Sequence, residues 1–208
     1  MDNGNRVERL PRPDGNTVAF ARTEGSEPTV VFLGGFRSDM TGTKAMALEA
    51  WARLTGRSYL RFDYLGHGQS SGRFEDGTIG RWLDDSLAVI DAKTSGRLVL
   101  VGSSMGGFVS VASASLLHAR GVFLMAPALY MEGLPELRQG VLDCPATVVH
   151  GWRDDVVPFE HSVRFAKEYG AALHLLDSDH RLHNQLRVIR YLFEYFLIAL
   201  DLPAPAFE

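Results

Sequence analysis

Short apolar runs alternate along the chain with segments whose apolar positions recur at helical spacing. Residues 29–33 precede a helical pattern over 43–54, residues 59–63 precede one over 79–93, and residues 97–101 precede one over 105–119. Residues 122–125 follow, then 146–150 with a helical pattern at 160–169, and 172–176 with a last one over 184–200. These six runs are apolar on both faces, the pattern of strands in a parallel sheet covered by helices on both sides. Ahead of them, residues 7–10 and 17–22 flank Pro13-Asp14-Gly15-Asn16, a turn signal that predicts an antiparallel hairpin at one sheet edge. The expected fold class is α/β, with a mostly parallel central sheet of about eight strands and helices on both faces.

Composition narrows the classes of function. The 208 residues fit a single domain over 1–208, since domains run to roughly 150 residues, and a chain of this size buries about 70% of its unfolded surface without disulfides or metals. Only residues 202–208, which include two prolines, read as a tail. The balance of 21 Lys and Arg against 25 Asp and Glu gives a net charge of −4, and neither sign forms a run, so nucleic acid is not an expected partner. The lone Cys144 excludes an internal disulfide and a cysteine-based zinc site, and reads as a small buried side chain. Residues 1–13 hold no apolar block and carry acids, which argues against a secretory signal or transit peptide. The most span-like stretch, 193–202, is interrupted by Glu194 and Asp201. The expectation is a cytoplasmic protein with no membrane span.

Ligands of open α/β sheets sit at the carboxyl ends of the strands, so the loops there decide the chemistry. Gly102-Ser103-Ser104-Met105-Gly106-Gly107 follows the run ending at Val101 and leads straight into an apolar helix. A serine on so tight a strand-to-helix turn points its hydroxyl out of the sheet, and only very small residues two positions to either side avoid the neighbouring backbone. Gly102 and Gly106 fill those positions, leaving Ser104 as the candidate nucleophile and turning Ser103 to the opposite side. The helix N-terminus beneath Ser104 favours negative charge at its oxygen.

A serine needs a base, and the base an orienting acid. His180, on the loop Asp177-Ser178-Asp179-His180 after the last strand-like run, is the best placed base. Gly151-Trp152-Arg153-Asp154-Asp155 offers two acids, either of which can orient an imidazole. His118, His161, His174 and His183 read as structural or solvated, and His67 lies on a strand-end loop but precedes the serine. Asp177, Asp179, His180 and His183 do not make a metal site, because no second partner group stands at ligand spacing. No cofactor is expected either, since Gly34-Gly35 fits no phosphate-binding pattern. Those glycines suit a backbone that closely approaches a reacting carbonyl, and the N–H groups of Phe36 and Met105 are the expected oxyanion-hole donors.

Gly102-x-Ser104-x-Gly106-Gly107, His150-Gly-x-x-Asp154-x-x-Val157-Pro158 and Asp179-His180 together resemble the nucleophile, acid and histidine motifs of the α/β-hydrolase superfamily, in their usual order. The resemblance covers nearly the whole chain, and by its spacing Asp154 is the acid and Asp155 its neighbour. More narrowly, residues 38–45, Arg61-Phe62-Asp63-Tyr64-x-Gly66-x-Gly68-x-Ser70 and residues 176–181 are similar to the branch of mitochondrial palmitoyl-protein thioesterases that also cleave acyl glucuronides. The resemblance implies serine-dependent hydrolysis of esters or thioesters, with a small molecule or an acylated protein as substrate. The segment at about 128–144 is short for the helical lid this superfamily often inserts. The same triad also serves C–C hydrolases and haloperoxidase-like enzymes, and the same cleft can bind a ligand without catalysis.

Substrate contacts are expected from residues beside these loops. Arg37 and Arg153 are candidates for attracting an anionic group such as a glucuronide carboxylate, against an ordinary solvated role. Tyr130 and Trp152, with Phe36, Phe108, Leu129, Met131, Leu134 and Val157, are candidates for an apolar acyl slot, against ordinary core packing.

Overall fold

A computed structural model describes residues 6–137 and 142–201. The opening hairpin is present as β1 (Glu8–Pro11) and β2 (Thr17–Thr23). It is followed by β3 (Ser26–Leu33), α1 (Thr43–Thr55), β4 (Arg57–Phe62), α2 (Ile79–Lys93), β5 (Leu98–Ser103), α3 (Met105–Ala114) and β6 (Gly121–Met125). The second half holds β7 (Ala146–Gly151), α4 (Phe159–Tyr169), β8 (Ala172–Leu176) and α5 (Leu186–Asp201). The strands form one eight-stranded sheet in the order β1-β2-β4-β3-β5-β6-β7-β8. Pairings from β4 through β8 are parallel, and β1 and β2 join antiparallel at one edge. The order steps outward in both directions from β3 and β5, so their carboxyl ends lie at the middle of the sheet, where α/β folds place their ligands.

The two apolar faces of the strands bury into separate cores. Val31, Leu33, Leu98 and Leu100 pack with Val109 of α3 and Phe165 of α4 on one face. Their neighbours Val30, Phe32, Val99 and Val101 pack with Trp51 of α1 and Phe193 of α5 on the other. Strand side chains alternate between faces, so two cores require the near-continuous apolar runs seen in the sequence. On the α1/α5 face the Phe193 ring centroid lies 5.0 Å from that of Trp51 and 5.2 Å from that of Phe123, both in edge-to-face contact.

The helical pattern over 105–119 extends beyond the helix. The backbone leaves α3 at Ala114 and closes with the Ala119 N–H donating to the Ala114 carbonyl and the His118 N–H to that of Ser115, with His118 at φ +49°. This is a Schellman end built on histidine where glycine is usual. The last helix similarly opens with a single tight turn, His183–Gln185, before α5 begins. The expected tail 202–208 lies outside the described residues, as do residues 138–141 of the expected short lid. The described parts of that segment, 128–137 and 142–144, contain neither helix nor strand.

Candidate active site

The turn between β5 and α3 is as tight as the glycine spacing requires. Ser104 sits at φ +54° and ψ −120°, a conformation that costs a non-glycine residue on the order of 1–3 kcal/mol. It is held there by its N–H donating to the Met125 carbonyl (3.0 Å) and its carbonyl accepting from Ala128 (2.9 Å) and Gly107 (2.9 Å). A Cβ on Gly106 would stand 2.0 Å from the Leu33 carbonyl oxygen, and one on Gly102 would stand 2.4 Å from that of Gly106. Neither position admits a side chain without moving backbone.

Ser104, His180 and Asp154 come from the loops after β5, β8 and β7, far apart in sequence, and meet in one line. His180 Nε2 lies 3.0 Å from Ser104 Oγ, and His180 Nδ1 lies 2.7 Å from Asp154 Oδ2. With Nδ1–H directed at the carboxylate, Nε2 is left as acceptor for the serine hydroxyl. Asp155 is exposed, and it is Asp154 that faces His180. The His180 loop is shaped by Asp179, whose Oδ1 accepts from the N–H groups of Arg181 (3.0 Å) and Leu182 (3.2 Å). It also packs on Gly151, where a Cβ would stand 2.3 Å from the Ser178 carbonyl oxygen.

Asp154 has no exposed side-chain surface and is fully engaged. Its Oδ1 accepts from the N–H groups of Val156 (2.9 Å) and Val157 (2.8 Å), and its Oδ2 also faces His150 Nε2 at 2.9 Å. Burial alone would raise this carboxyl, but the bonds from His150, His180 and the two N–H groups outweigh it and hold Asp154 well below the usual carboxylate range. His150 is itself buried, with Nδ1 2.7 Å from Ser162 Oγ. The sequence shows His150 only as a member of the acid motif, four residues before Asp154, and assigns it no contact with that carboxylate.

A cavity of about 430 Å3 opens over Ser104 and His180, bordered by Gly35, Phe36, Arg37 and Lys44. The Gly34-Gly35-Phe36 loop closes against the serine so tightly that a Cβ on Gly35 would lie 3.2 Å from Ser104 Cβ. Among the described residues, the N–H groups of Phe36, which borders this cavity, and of Met105, which follows Ser104, have no hydrogen-bond partner. Lys44 was also missed from sequence. Its ammonium donates to Ser103 Oγ at 2.7 Å, and burial lowers it to about 8, against the pull of Asp154 and Asp179 in the other direction. Among the described residues, no three His, Cys, Asp or Glu side chains come together to hold a metal ion. Cys144 is half-buried, its thiol pushed up to about 11 by burial and by Asp143, which makes it a poor nucleophile.

A model of the alpha/beta hydrolase family matches residues 30–205. The chain belongs to the alpha/beta hydrolase family. Membership supports hydrolase activity. A curated relative, the mitochondrial palmitoyl-protein thioesterase ABHD10 of Bos taurus, is 31% identical over 77% of this chain and 68% of its own length. The human protein of the same name is 29% identical over 76% of this chain and 67% of its own. Among solved structures, the mouse alpha/beta hydrolase domain-containing protein 10 superposes on this hydrolase with a TM-score of 0.86 at 23% identity, covering 94% of this chain and 100% of that one. These matches overturn the expectation of a cytoplasmic location, since the curated relatives are named as mitochondrial. A leader is separate from the fold it carries, so the composition of residues 1–13 does not fix where the folded domain works.

The remaining sequence candidates are scattered across the fold of the hydrolase, some at its surface and some buried in it. Arg37 borders the cavity, with its guanidinium over the rings of Phe36 and Phe74. Arg153 pairs with Asp177 at 2.9 Å, and the Trp152 indole N–H donates to the same carboxylate at 3.1 Å. The Tyr130 hydroxyl donates to Glu168, and Arg164 lies 3.9 Å over its ring. Phe108, Leu129 and Val157 are buried in the fold. His67 is buried in a cage of Tyr64, Phe74 and Trp82 rather than beside Ser104. Among the described residues, no helix is long and apolar enough to cross a membrane.

Proposed function

We propose that the protein is a serine hydrolase of carboxylic esters or thioesters, of the acyl-protein thioesterase, carboxylesterase or acyl-glucuronide esterase type. The observation that carries this reading is the continuous line from Ser104 Oγ through His180 to Asp154, at 3.0 and 2.7 Å. Ser104 Oγ attacks the acyl carbonyl carbon as its proton passes to His180 Nε2. The carbonyl oxygen, now negative, accepts from the N–H groups of Phe36 and Met105, while Asp154 stabilises the imidazolium through Nδ1–H. Collapse breaks the bond from carbon to the leaving sulfur or oxygen, which takes the proton from Nε2. Water then attacks the acyl-serine, giving its proton to Nε2; the carboxylic acid leaves and Ser104 regains its hydrogen. The thioesterase named among the relatives supports an acyl thioester as one substrate class. Arg37, at the mouth of the cavity, is the proposed contact for an anionic portion of the substrate. Tyr130, Trp152 and Arg153 stay as weaker candidates for substrate contact.

A fluorophosphonate probe tests this reading directly, because it forms a covalent Oγ–P bond only with an activated serine. Peptide mass analysis is expected to find the adduct on Ser104, absent in Ser104→Ala and formed about 10³-fold more slowly in His180→Ala. Labelling that persists undiminished in Ser104→Ala would contradict it.

A further inference from the structure

A second, largely apolar hollow of about 390 Å3 lies between α1 and α5. It neighbours the cavity over Ser104, and the two are bordered by residues close together on β5, on α1 and between His183 and Leu186. On β5 the cavity touches Ser103 and the hollow touches Val101, two residues earlier, hence on the same face of the strand. On α1 the cavity reaches Thr43 to Ala45, and the hollow continues along Leu48 and Trp51. On the third side the cavity ends at His183, and the hollow begins at Leu186. Lys44 borders both, and its hydrogen bond to Ser103 crosses the junction from α1 to the sheet.

We propose that this hollow is the acyl-chain site of the enzyme: a long, unbranched acyl chain attached to the carbonyl at Ser104 runs past Lys44 and lies between α1 and α5. The inference rests on the proposed reading of Ser104 as nucleophile. The occupant follows from the two ends of the path. One end is the proposed acyl-transfer site, and the other has a floor of Leu48, Trp51, Phe123, Met125 and Ile189 that offers methylenes apolar contact, with Arg187, Arg190 and Tyr191 at its exposed rim. Lys44 suits the junction because its four-carbon stem can line an apolar passage while the ammonium stays with Ser103 or turns to the wetter cavity. A groove with an apolar floor selects for chain length, since each methylene that settles on it leaves water.

Ala47 gives a clean test. It is exposed on α1 yet borders the hollow, so Ala47→Trp fills the groove without opening the core. For p-nitrophenyl esters from acetyl to palmitoyl, with Ser104→Ala as blank, wild-type kcat/KM is expected to rise with chain length. Ala47→Trp is expected to lose at least about tenfold on lauroyl and palmitoyl esters while acetyl and butyryl esters stay within about twofold. Equal losses at every length, no loss at any, or a wild type confined to short chains would overturn the acyl site and leave the hydrolase reading standing.

Binding separates the two claims. Dansyl-undecanoic acid, whose fluorescence rises in apolar surroundings, is expected to titrate wild type and Ser104→Ala saturably and to bind Ala47→Trp at least about fivefold more weakly. Such binding without Ser104-dependent hydrolysis of any ester would remove the proposed reaction and retain an acyl-binding groove. Equal affinity in Ala47→Trp would overturn the groove itself, as would a variant that changes only the oligomeric mass.

Discussion

His150 and His180 converge on a single oxygen, Oδ2 of Asp154, from 2.9 and 2.7 Å. Each has its other ring nitrogen committed elsewhere, His150 to Ser162 at 2.7 Å and His180 to Ser104 at 3.0 Å. The carboxylate therefore orients one imidazole toward the solvent-accessible cavity while a second, buried imidazole anchors the carboxylate.

Because only Asp154 lies in this relay, its removal and that of Asp155 should differ sharply. Asp154→Asn is expected to lower kcat by about 10⁴, as it leaves His180 in the wrong tautomer to accept the serine proton. Asp155→Asn, at an exposed position, is expected to stay within about twofold. Steady-state kinetics on one ester decides between them, and the reverse ranking would exchange the two residues' roles.

The contrast between these two aspartates also shows what the sequence could reveal. Ser104, Asp154 and His180 stand out as candidates because each is at a strand end in a local pattern that few other functions require, and the glycines around Ser104 answer to steric limits that hold in any sequence. The contacts of His150 and Lys44 were not legible. A histidine in an apolar strand and a lysine in an amphipathic helix both have ordinary explanations, and only packing shows that His150 meets Asp154 and that Lys44 reaches Ser103 across the face of the sheet. The end of α3 was misplaced for a related reason: residues 115–119 keep helical spacing, but the chain turns through a left-handed His118.

Lys44 makes stability depend on alkaline pH. Its ammonium is lowered in the folded protein from 10.5 to about 8, so between those values the unfolded chain holds a proton that the folded one has lost. Stability contributed at this site therefore rises with pH across that window, and at neutral pH the buried charge is a net cost. Urea unfolding of wild type and Lys44→Met is expected to show the variant more stable at pH 7, with the gap closing toward pH 10. A gap that widens with pH would contradict the assignment.

Arg61 and Glu49 form a buried pair beneath the β4 side of the sheet, with Arg61 Nη2 2.8 Å and Nε 3.1 Å from Glu49 Oε2. Taking one partner from such a buried ion pair costs roughly 3–5 kcal/mol. Glu49→Gln is expected to lower the urea midpoint by a corresponding amount, whereas Glu75→Gln, from an exposed pair with Arg73, is expected to change it little.

The central claim is that Ser104 carries an acyl group through the reaction. The most direct measurement is kcat/KM of wild type and Ser104→Ala on matched oxygen esters and thioesters. The account predicts that the alanine variant loses on the order of 10⁴ to 10⁶ of the wild-type rate on every substrate the wild type cleaves. A variant that keeps more than about a tenth of that rate would contradict it, because the intact His180 and Asp154 would then be serving some other nucleophile.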